Sequence, residues 1–242
     1  MGISVIFPAY NEEMNIRSTI QKALGAMHEL GREFEIVIVN DRSKDATGRI
    51  ADELATGNPE IRVLHNERNV GSGVSVIRGF QQARYELVTH NAMDYPFDLR
   101  DLPKLLQYCS EADIVAAART SRAGYSPYRV LTSVVHKHLL HLLFPLRLSD
   151  YNFVQLYPRS LWQAIQVEAR SPAFVTPEAM IRAYDMGYRV KEVAIEYHPR
   201  VAGEATSGKP KVIVHSLRDM FSFWWKRVLH RTPQLRHTRT SI

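Results

Sequence analysis

The sequence predicts an α/β fold with a mostly parallel sheet flanked by helices, and three observations carry that prediction. In the first ninety residues, short apolar runs alternate with amphipathic helical stretches in the order β-α-β-α-β-α-β. Alternation of this kind implies right-handed crossovers and parallel strands. Two of the apolar runs pass straight into polar turns: residues 5–12 read VIFPAYNE and residues 35–47 read EIVIVNDRSKDAT. Carboxylates and amides then stand at the carboxyl ends of neighbouring strands, the edge where open α/β sheets bind ligands. Finally, 242 residues with 45% hydrophobic content suffice for one large packed domain, or one domain with a small appendage.

Strands are expected at 3–7, 35–39, 61–64 and 86–89, where β-branched and aromatic residues cluster, and helices at about 12–29, 46–56 and 73–83. Asn11 and Asp45 stand just ahead of helical periodicity, where N-caps belong. A short helix is expected after Asp101, then a strand at 113–117 (DIVAA). Residues 128–144 are apolar with a helical period and carry His136, His138 and His141. A strand at 152–157 and a helix at 158–166 follow. Residues 176–186 read as a helix with Thr176 as cap, Pro177 in the first turn and Glu178 at the dipole-favoured end. A strand at 188–197, a loop at 198–208 and a long helix at about 210–230 complete the order. There is no internal repeat and no low-complexity segment.

Composition excludes several classes. The single cysteine, Cys109, rules out an intrachain disulfide and fits a reducing compartment. The start MGISVIFPAYNEE has no basic n-region and reads as a first strand rather than a signal peptide. Residue 6 is Ile, not the Ser or Thr of a myristoylation pattern. No window holds about 18 uncharged apolar residues, so no transmembrane helix is expected. The net charge of +6 is unevenly placed: residues 209–242 hold eight Lys/Arg and one acid, a balance of +7, which leaves −1 for residues 1–208. A neutral body with a basic tail points to an anionic contact at the tail. No nucleic-acid motif accompanies that charge, so no nucleic acid is expected as partner.

Pro8-Ala9-Tyr10-Asn11-Glu12 followed by Val39-Asn40-Asp41-Arg42-Ser43 and Asp45 resembles the family 2 glycosyltransferases of the GT-A fold, and within them the dolichol-phosphate mannose synthase-like polyprenyl-phosphate sugar transferases. Further matches run in the same order: Asn69-Val70-Gly71-Ser72-Gly73, Asp94, Asp98 to Leu105, Arg119, Asp150 to Tyr157, Phe174 to Glu178, Gly187 to Val190, and His198-Pro199-Arg200 with Gly203-Glu204. The resemblance covers roughly residues 1–208 as a GT-A-like domain and leaves 209–242 as a basic amphipathic helix and tail. It implies a GT-A architecture, a nucleotide-sugar donor, a divalent cation (Mg²⁺ or Mn²⁺) and inversion at the sugar.

The residues allow these roles. Asp41 and Glu12 can accept hydrogen bonds from a base N–H or ribose hydroxyls, with Pro8, Tyr10, Asn11 and Ser43 completing the two turns. Asp45 is fully explained as a cap. Gly71 and Gly73 open a helix whose N-terminus suits an anion, as a wall of the nucleotide site. After the fourth strand the resemblance implies an Asp-x-Asp cation motif, but aligning Phe97-Asp98 puts Ala92 at its first acid and Asp94 at its second. One carboxylate is missing, with Asn91, His90 or Asp98 as substitutes. Arg119, at a strand end, and Arg200, in a Pro/Gly loop, are phosphate clamps by chemistry. Asp150 and Glu178 are the acids for the acceptor side. A hydroxyl acceptor needs one of them as general base, whereas a phosphate acceptor is already anionic. His136, His138 and His141 lack a carboxylate partner and make no metal set.

In the tail, Ile213, Leu217, Met220, Trp224 and Val228 form one helical stripe that Phe221 and Trp225 widen, flanked by Arg218, Lys226 and Arg227. Phe221, Trp224, Trp225, Lys226 and Arg227 are therefore the expected contacts with an anionic membrane surface. The same stripe also suits packing on the domain or a homodimer interface. The expectation is an inverting glycosyltransferase, peripheral on the cytoplasmic membrane face, with a polyprenyl phosphate acceptor. Transfer to a glycan or small-molecule hydroxyl, and a nucleotide-binding protein that has lost turnover through Ala92, remain as alternatives.

Overall fold

The computed structural model describes residues 1–121, 125–196 and 210–229. Seven strands form one mixed sheet: β1 (Ile3–Ala9), β2 (Phe34–Asn40), β3 (Ile61–His65), β4 (Leu87–His90), β5 (Ile114–Arg119), β6 (Gln155–Pro158) and β7 (Val190–Ile195), in spatial order β3-β2-β1-β4-β6-β5-β7. All neighbours pair in parallel except β6, which runs antiparallel to β4 and β5. The sequence predicts a strand here but not its direction. The chain returns from β5 to the carboxyl edge before entering β6, so no crossover reverses it.

The helices are α1 (Ile16–Leu30), α2 (Thr47–Gly57), α3 (Ser72–Gln81), α4 (Leu102–Leu106), α5 (Pro127–Leu143), α6 (Arg159–Ala164), α7 (Val175–Asp185) and α8 (Pro210–Leu229). Both faces of the sheet are covered, which is why β1 and β2 are near-continuous apolar runs. Val5 and Phe7 point into one core with Ile16, Ile20 and Leu102, while Ile6 and Val37 point into the other with Phe80, Trp162 and Met180. In the second core Phe80 stacks on Trp162 at 4.4 Å. A Cβ on Gly79 would lie 2.2 Å from Ile6 Cγ2, so only glycine lets α3 lie this close to β1.

Three boundaries differ from expectation. Asn11 takes φ +56°, a left-handed conformation, so it belongs to a turn and α1 starts only at Ile16. Asp45 lies one residue outside the Ala46 N-cap of α2, yet its Oδ1 still accepts from the Thr47 amide at 3.0 Å. Thr176 falls inside α7 rather than at its cap, and its hydroxyl donates to the Tyr151 carbonyl at 3.1 Å.

The last helix, α8, packs on the domain through Ser216, Met220 and Phe223, which stand at i, i+4 and i+7 on one face. Phe223 stacks on Phe144 at 5.6 Å, and Ser216 Oγ lies 3.2 Å from His136 Nε2 of α5. Among the described residues no helix is long and apolar enough to cross a membrane.

Candidate active site

At the carboxyl edge, the turn after β1 and the turn after β2 are laced together. The Asp41 amide donates to the Ala9 carbonyl at 2.8 Å. The Asn11 amide donates to Ser43 Oγ at 3.1 Å, and Asn11 Oδ1 accepts from the Lys44 amide at 2.9 Å. The Glu12 amide donates to Thr47 Oγ1 at 2.7 Å. Glu13 and Asp45 exchange further bonds across the gap: Glu13 N–H to Asp45 Oδ2 at 3.2 Å and Ala46 N–H to Glu13 Oε2 at 2.9 Å. The left-handed φ of Asn11 suits a residue whose side chain bonds locally. The result is a rigid ledge, with Tyr10 exposed on it, Pro8 half-buried behind it and Glu12 accepting from Asn15 Nδ2 at 2.8 Å.

Asp41 is buried at the back of the ledge. Its carboxylate accepts from Asn66 Nδ2, the Val70 amide and the Gly71 amide, each at 2.8 Å. A carboxylate has about four acceptor positions, so about one is left for a ligand. Most of what Asp41 does is tie the end of β2 to the loop that opens α3. Asn66 Nδ2 also reaches Ser75 Oγ of α3 at 2.9 Å. Neither Asn66 nor Ser75 stood out in the sequence. The available signal for Asn66 is its place directly after β3, at the same edge as Asp41.

Gly71 takes φ +92° and has open space where a Cβ would be. Gly73 is different: a Cβ there would meet the Arg170 carbonyl oxygen at 2.7 Å and Val175 Cγ2 at 2.9 Å. Its glycine answers to packing of the 170–175 segment on α3.

The loop after β4 holds the expected cation position. Asn91 is buried and spent locally: Nδ2 donates to the Phe97 carbonyl at 2.8 Å and Oδ1 accepts from the Ala92 amide at 3.0 Å. His90 packs edge-on against Phe80 at 5.9 Å, on the core side of the sheet, and burial pushes its pKa down to about 4. Asp98 accepts from the Arg100 amide at 3.0 Å, capping the turn Leu99–Asp101. Asn91, His90 and Asp98, the candidate substitutes for the missing acid, are thus each engaged in other contacts. Among the described residues no three His, Cys, Asp or Glu side chains converge on one point. Mg²⁺ is commonly held by one or two carboxylates plus phosphate oxygens and water. The residues fit a cation shared between Asp94 and a bound diphosphate, and do not fit one held by side chains alone.

The sequence profile of Glycosyl transferase family 2 matches residues 4–160, which contain both turns and the Asp94 loop. The chain belongs to the family 2 glycosyltransferases. It is similar to glycosyltransferase AglD of Haloferax volcanii, with 25% identity over 93% of this chain and 37% of that protein. It is also similar to the undecaprenyl-phosphate 4-deoxy-4-formamido-L-arabinose transferase of Pectobacterium atrosepticum, with 31% identity over 68% of this chain and 51% of that protein. The chain thus spans about half or less of the length of these relatives. In fold it resembles mannosyl-3-phosphoglycerate synthase from Rubrobacter xylanophilus, with TM-score 0.72 and 17% identity over 100% of this chain and 79% of that one. It also resembles glucosyl-3-phosphoglycerate synthase from Mycobacterium tuberculosis in complex with Mn²⁺ and UDP, with TM-score 0.68 and 17% identity over 91% of this chain and 78% of that one. The mostly parallel, helix-flanked sheet is the GT-A architecture of these glycosyltransferases.

In this glycosyltransferase domain, Arg119 and Asp150 are one unit. The guanidinium at the end of β5 forks onto the carboxylate, with Nε to Oδ2 at 2.5 Å and Nη2 to Oδ1 at 2.9 Å. Its Nη1 donates to Tyr125 Oη, and the group lies 5.0 Å over the Phe153 ring. Phe153 in turn meets Phe97 edge-on at 5.8 Å, so the pair braces the back of the Asp94 loop. Glu178 is also committed. Its side chain is 1% exposed and accepts from the Glu168 amide at 3.0 Å, the Ala169 amide at 2.7 Å and Arg182 Nε at 2.7 Å. Arg200 lies outside the described residues, as do Arg231, Arg236 and Arg239.

On α8, Phe221 and Trp225 are exposed, whereas Trp224 is half-buried against the second core. Lys226 pairs with Glu168, and Arg227 grips Asp185 through two bonds of 2.7 Å. The sequence places a helix at 128–144, as α5 shows, but not its exposed apolar face: only Leu140 is fully buried, while Tyr128, Leu131, Val135 and Leu142 are exposed. Its signal was in the sequence: residues 127–143 contain no Asp or Glu but carry Arg129 and Lys137.

Proposed function

We propose that this domain transfers a sugar, with inversion, from a nucleotide-sugar donor to a polyprenyl phosphate at an anionic membrane surface. The observation that carries the acceptor class is the commitment of Asp150 and Glu178. An alcohol acceptor needs a carboxylate free to take its proton; Asp150 is held in a fork by Arg119 and Glu178 by two amides and Arg182. A phosphate acceptor is already ionised and needs neither. The relatives named as undecaprenyl-phosphate transferases support the same class.

On the donor side, the ledge of Pro8, Tyr10, Asn11, Glu12 and Ser43 offers the nucleoside a surface, with Asp41, Gly71 and Gly73 fixing the wall. A divalent cation bound with the donor, at Asp94, would neutralise charge that builds on the leaving diphosphate. Arg200 is the remaining cation proposed for donor or acceptor phosphate. At the membrane, α5 and α8 are neighbouring helices that both expose apolar residues. Lys211 and Arg218 are exposed on them and Arg129 and Lys137 are half-exposed, while their one acid, Asp219, turns inward to backbone amides. Exposed aromatics beside uncompensated cations suit an anionic lipid surface.

The test is Asp150→Asn and Glu178→Gln, assayed for lipid-linked sugar per folded molecule. A lost general base costs about 10²- to 10⁴-fold. The proposal expects each variant to stay within roughly tenfold of wild type, well short of a base's worth. Loss of that larger size in either variant would return the hydroxyl-acceptor reading. A melting-temperature panel of UDP, GDP and dTDP compounds, with and without Mn²⁺, assigns the donor, since a ligand of the folded state raises its stability by mass action.

A further inference from the structure

The segment between α6 and α7 is strapped down by α8. Asp219 Oδ2 accepts from the Arg170 amide at 2.9 Å and the Ser171 amide at 2.8 Å. Lys226 pairs with Glu168 two residues earlier. The other face of the same strap presses on α3: the Arg170 carbonyl, Pro172 Cα and Val175 Cγ2 all lie within 3.2 Å of where a Gly73 Cβ would be. Gly73 is two residues from Gly71, whose amide is held by Asp41. A continuous set of contacts therefore runs from α8 through residues 170–172 and the first turn of α3 to the Asp41 carboxylate.

We propose that Asp219 is a positioning residue for the donor pocket: by holding the 170–171 amides it presses the strap onto Gly73 and fixes the α3 N-terminus against Asp41. The inference rests on the reading that this wall lines the nucleotide. Asp219 touches no reacting atom. Its Oδ2 accepts from both strap amides, and the carboxylate's charge makes both bonds stronger than a neutral acceptor oxygen would. Removing it frees the strap to lift, and the α3 N-terminus loses the surface that defines its depth.

The experiment measures nucleotide affinity by titration calorimetry, with whichever of UDP, GDP or dTDP wild type binds, at a temperature where every variant is fully folded. Asp219→Ala is expected to weaken binding roughly tenfold, a normal size for coupling between sites. Asp219→Asn keeps an acceptor oxygen and is expected to recover part of the loss. Gly73→Ala pushes the strap from the other side; it should weaken binding in the same direction, and the double variant should lose less than the two losses combined, because both act on one contact. The control is Asp113→Ala, which removes a carboxylate from the Arg189 amide, a 2.8 Å bond of the same kind at the opposite edge of the sheet. It should lower stability without changing nucleotide affinity. Equal affinity in wild type and Asp219→Ala, or equal weakening by Asp113→Ala, overturns the positioning role while leaving the donor site standing. If wild type binds none of the nucleotides, the donor reading itself fails and this inference falls with it.

Discussion

The chemistry of single residues decides which acids are free to react. Asp150 sits beside Arg119 with only 6% of its side chain exposed, and the guanidinium is 12% exposed. A buried pair of this kind is costly to break from one side: Arg119→Ala is expected to lower stability by about 3–5 kcal/mol, read from urea unfolding. Arg119→Lys should restore little, because a point charge cannot replace the planar fork. Pairing is why sequence reading kept the two apart. Each looked like a catalytic candidate alone, and 31 positions separate them, a distance that no local pattern bridges. Asp41 was legible as a site residue from its strand end. The three bonds that occupy it come from Asn66, Val70 and Gly71, which only the folded sheet brings near.

The elements follow the sequence where periodicity is strong. The β1 to β4 half and the long last helix lie where hydrophobic period and turn residues put them, because each apolar run there is bounded by polar turns. The direction of β6 did not follow, since four strand residues carry no directional signal. The face of α8 followed only in part: the apolar stripe read from periodicity includes Met220, but the buried seat also takes Ser216 and Phe223, which that stripe left out. Phe223→Ala is expected to cost about 3–5 kcal/mol, measured by thermal or urea unfolding. The α5–α8 contact also carries a pH signature. Burial pushes the His136 pKa from 6.5 down to about 4. The unfolded chain takes up its proton first as pH falls, so this contribution is complete above about pH 6.5 and is lost progressively between about 6.5 and 4, by up to about 1.4 kcal/mol per unit. Unfolding at several pH values should show that slope, and His136→Gln should reduce it.

At the scale of the whole molecule, the charge asymmetry read from the sequence takes a physical form. Neighbouring helices, α5 and α8, expose apolar side chains with cations beside them, Leu142 at 79% and Trp225 at 57% being clear examples. Sedimentation with anionic vesicles should carry the protein down, and Leu131→Asp with Trp225→Asp should release it. Added salt should weaken binding, since each lysine or arginine near the surface contributes about 1 kcal/mol. Failure to bind such vesicles in wild type would leave these faces for a protein partner or a second copy.

The central claim is transfer to a lipid phosphate. Its most direct test is one reaction holding labelled nucleotide sugar, a divalent cation, and equal amounts of a polyprenyl phosphate and the matching polyprenol in anionic vesicles. The account predicts label on the phosphate alone, and none when Asp94→Ala replaces wild type. Label on the polyprenol, or equal transfer by Asp94→Ala, would contradict it.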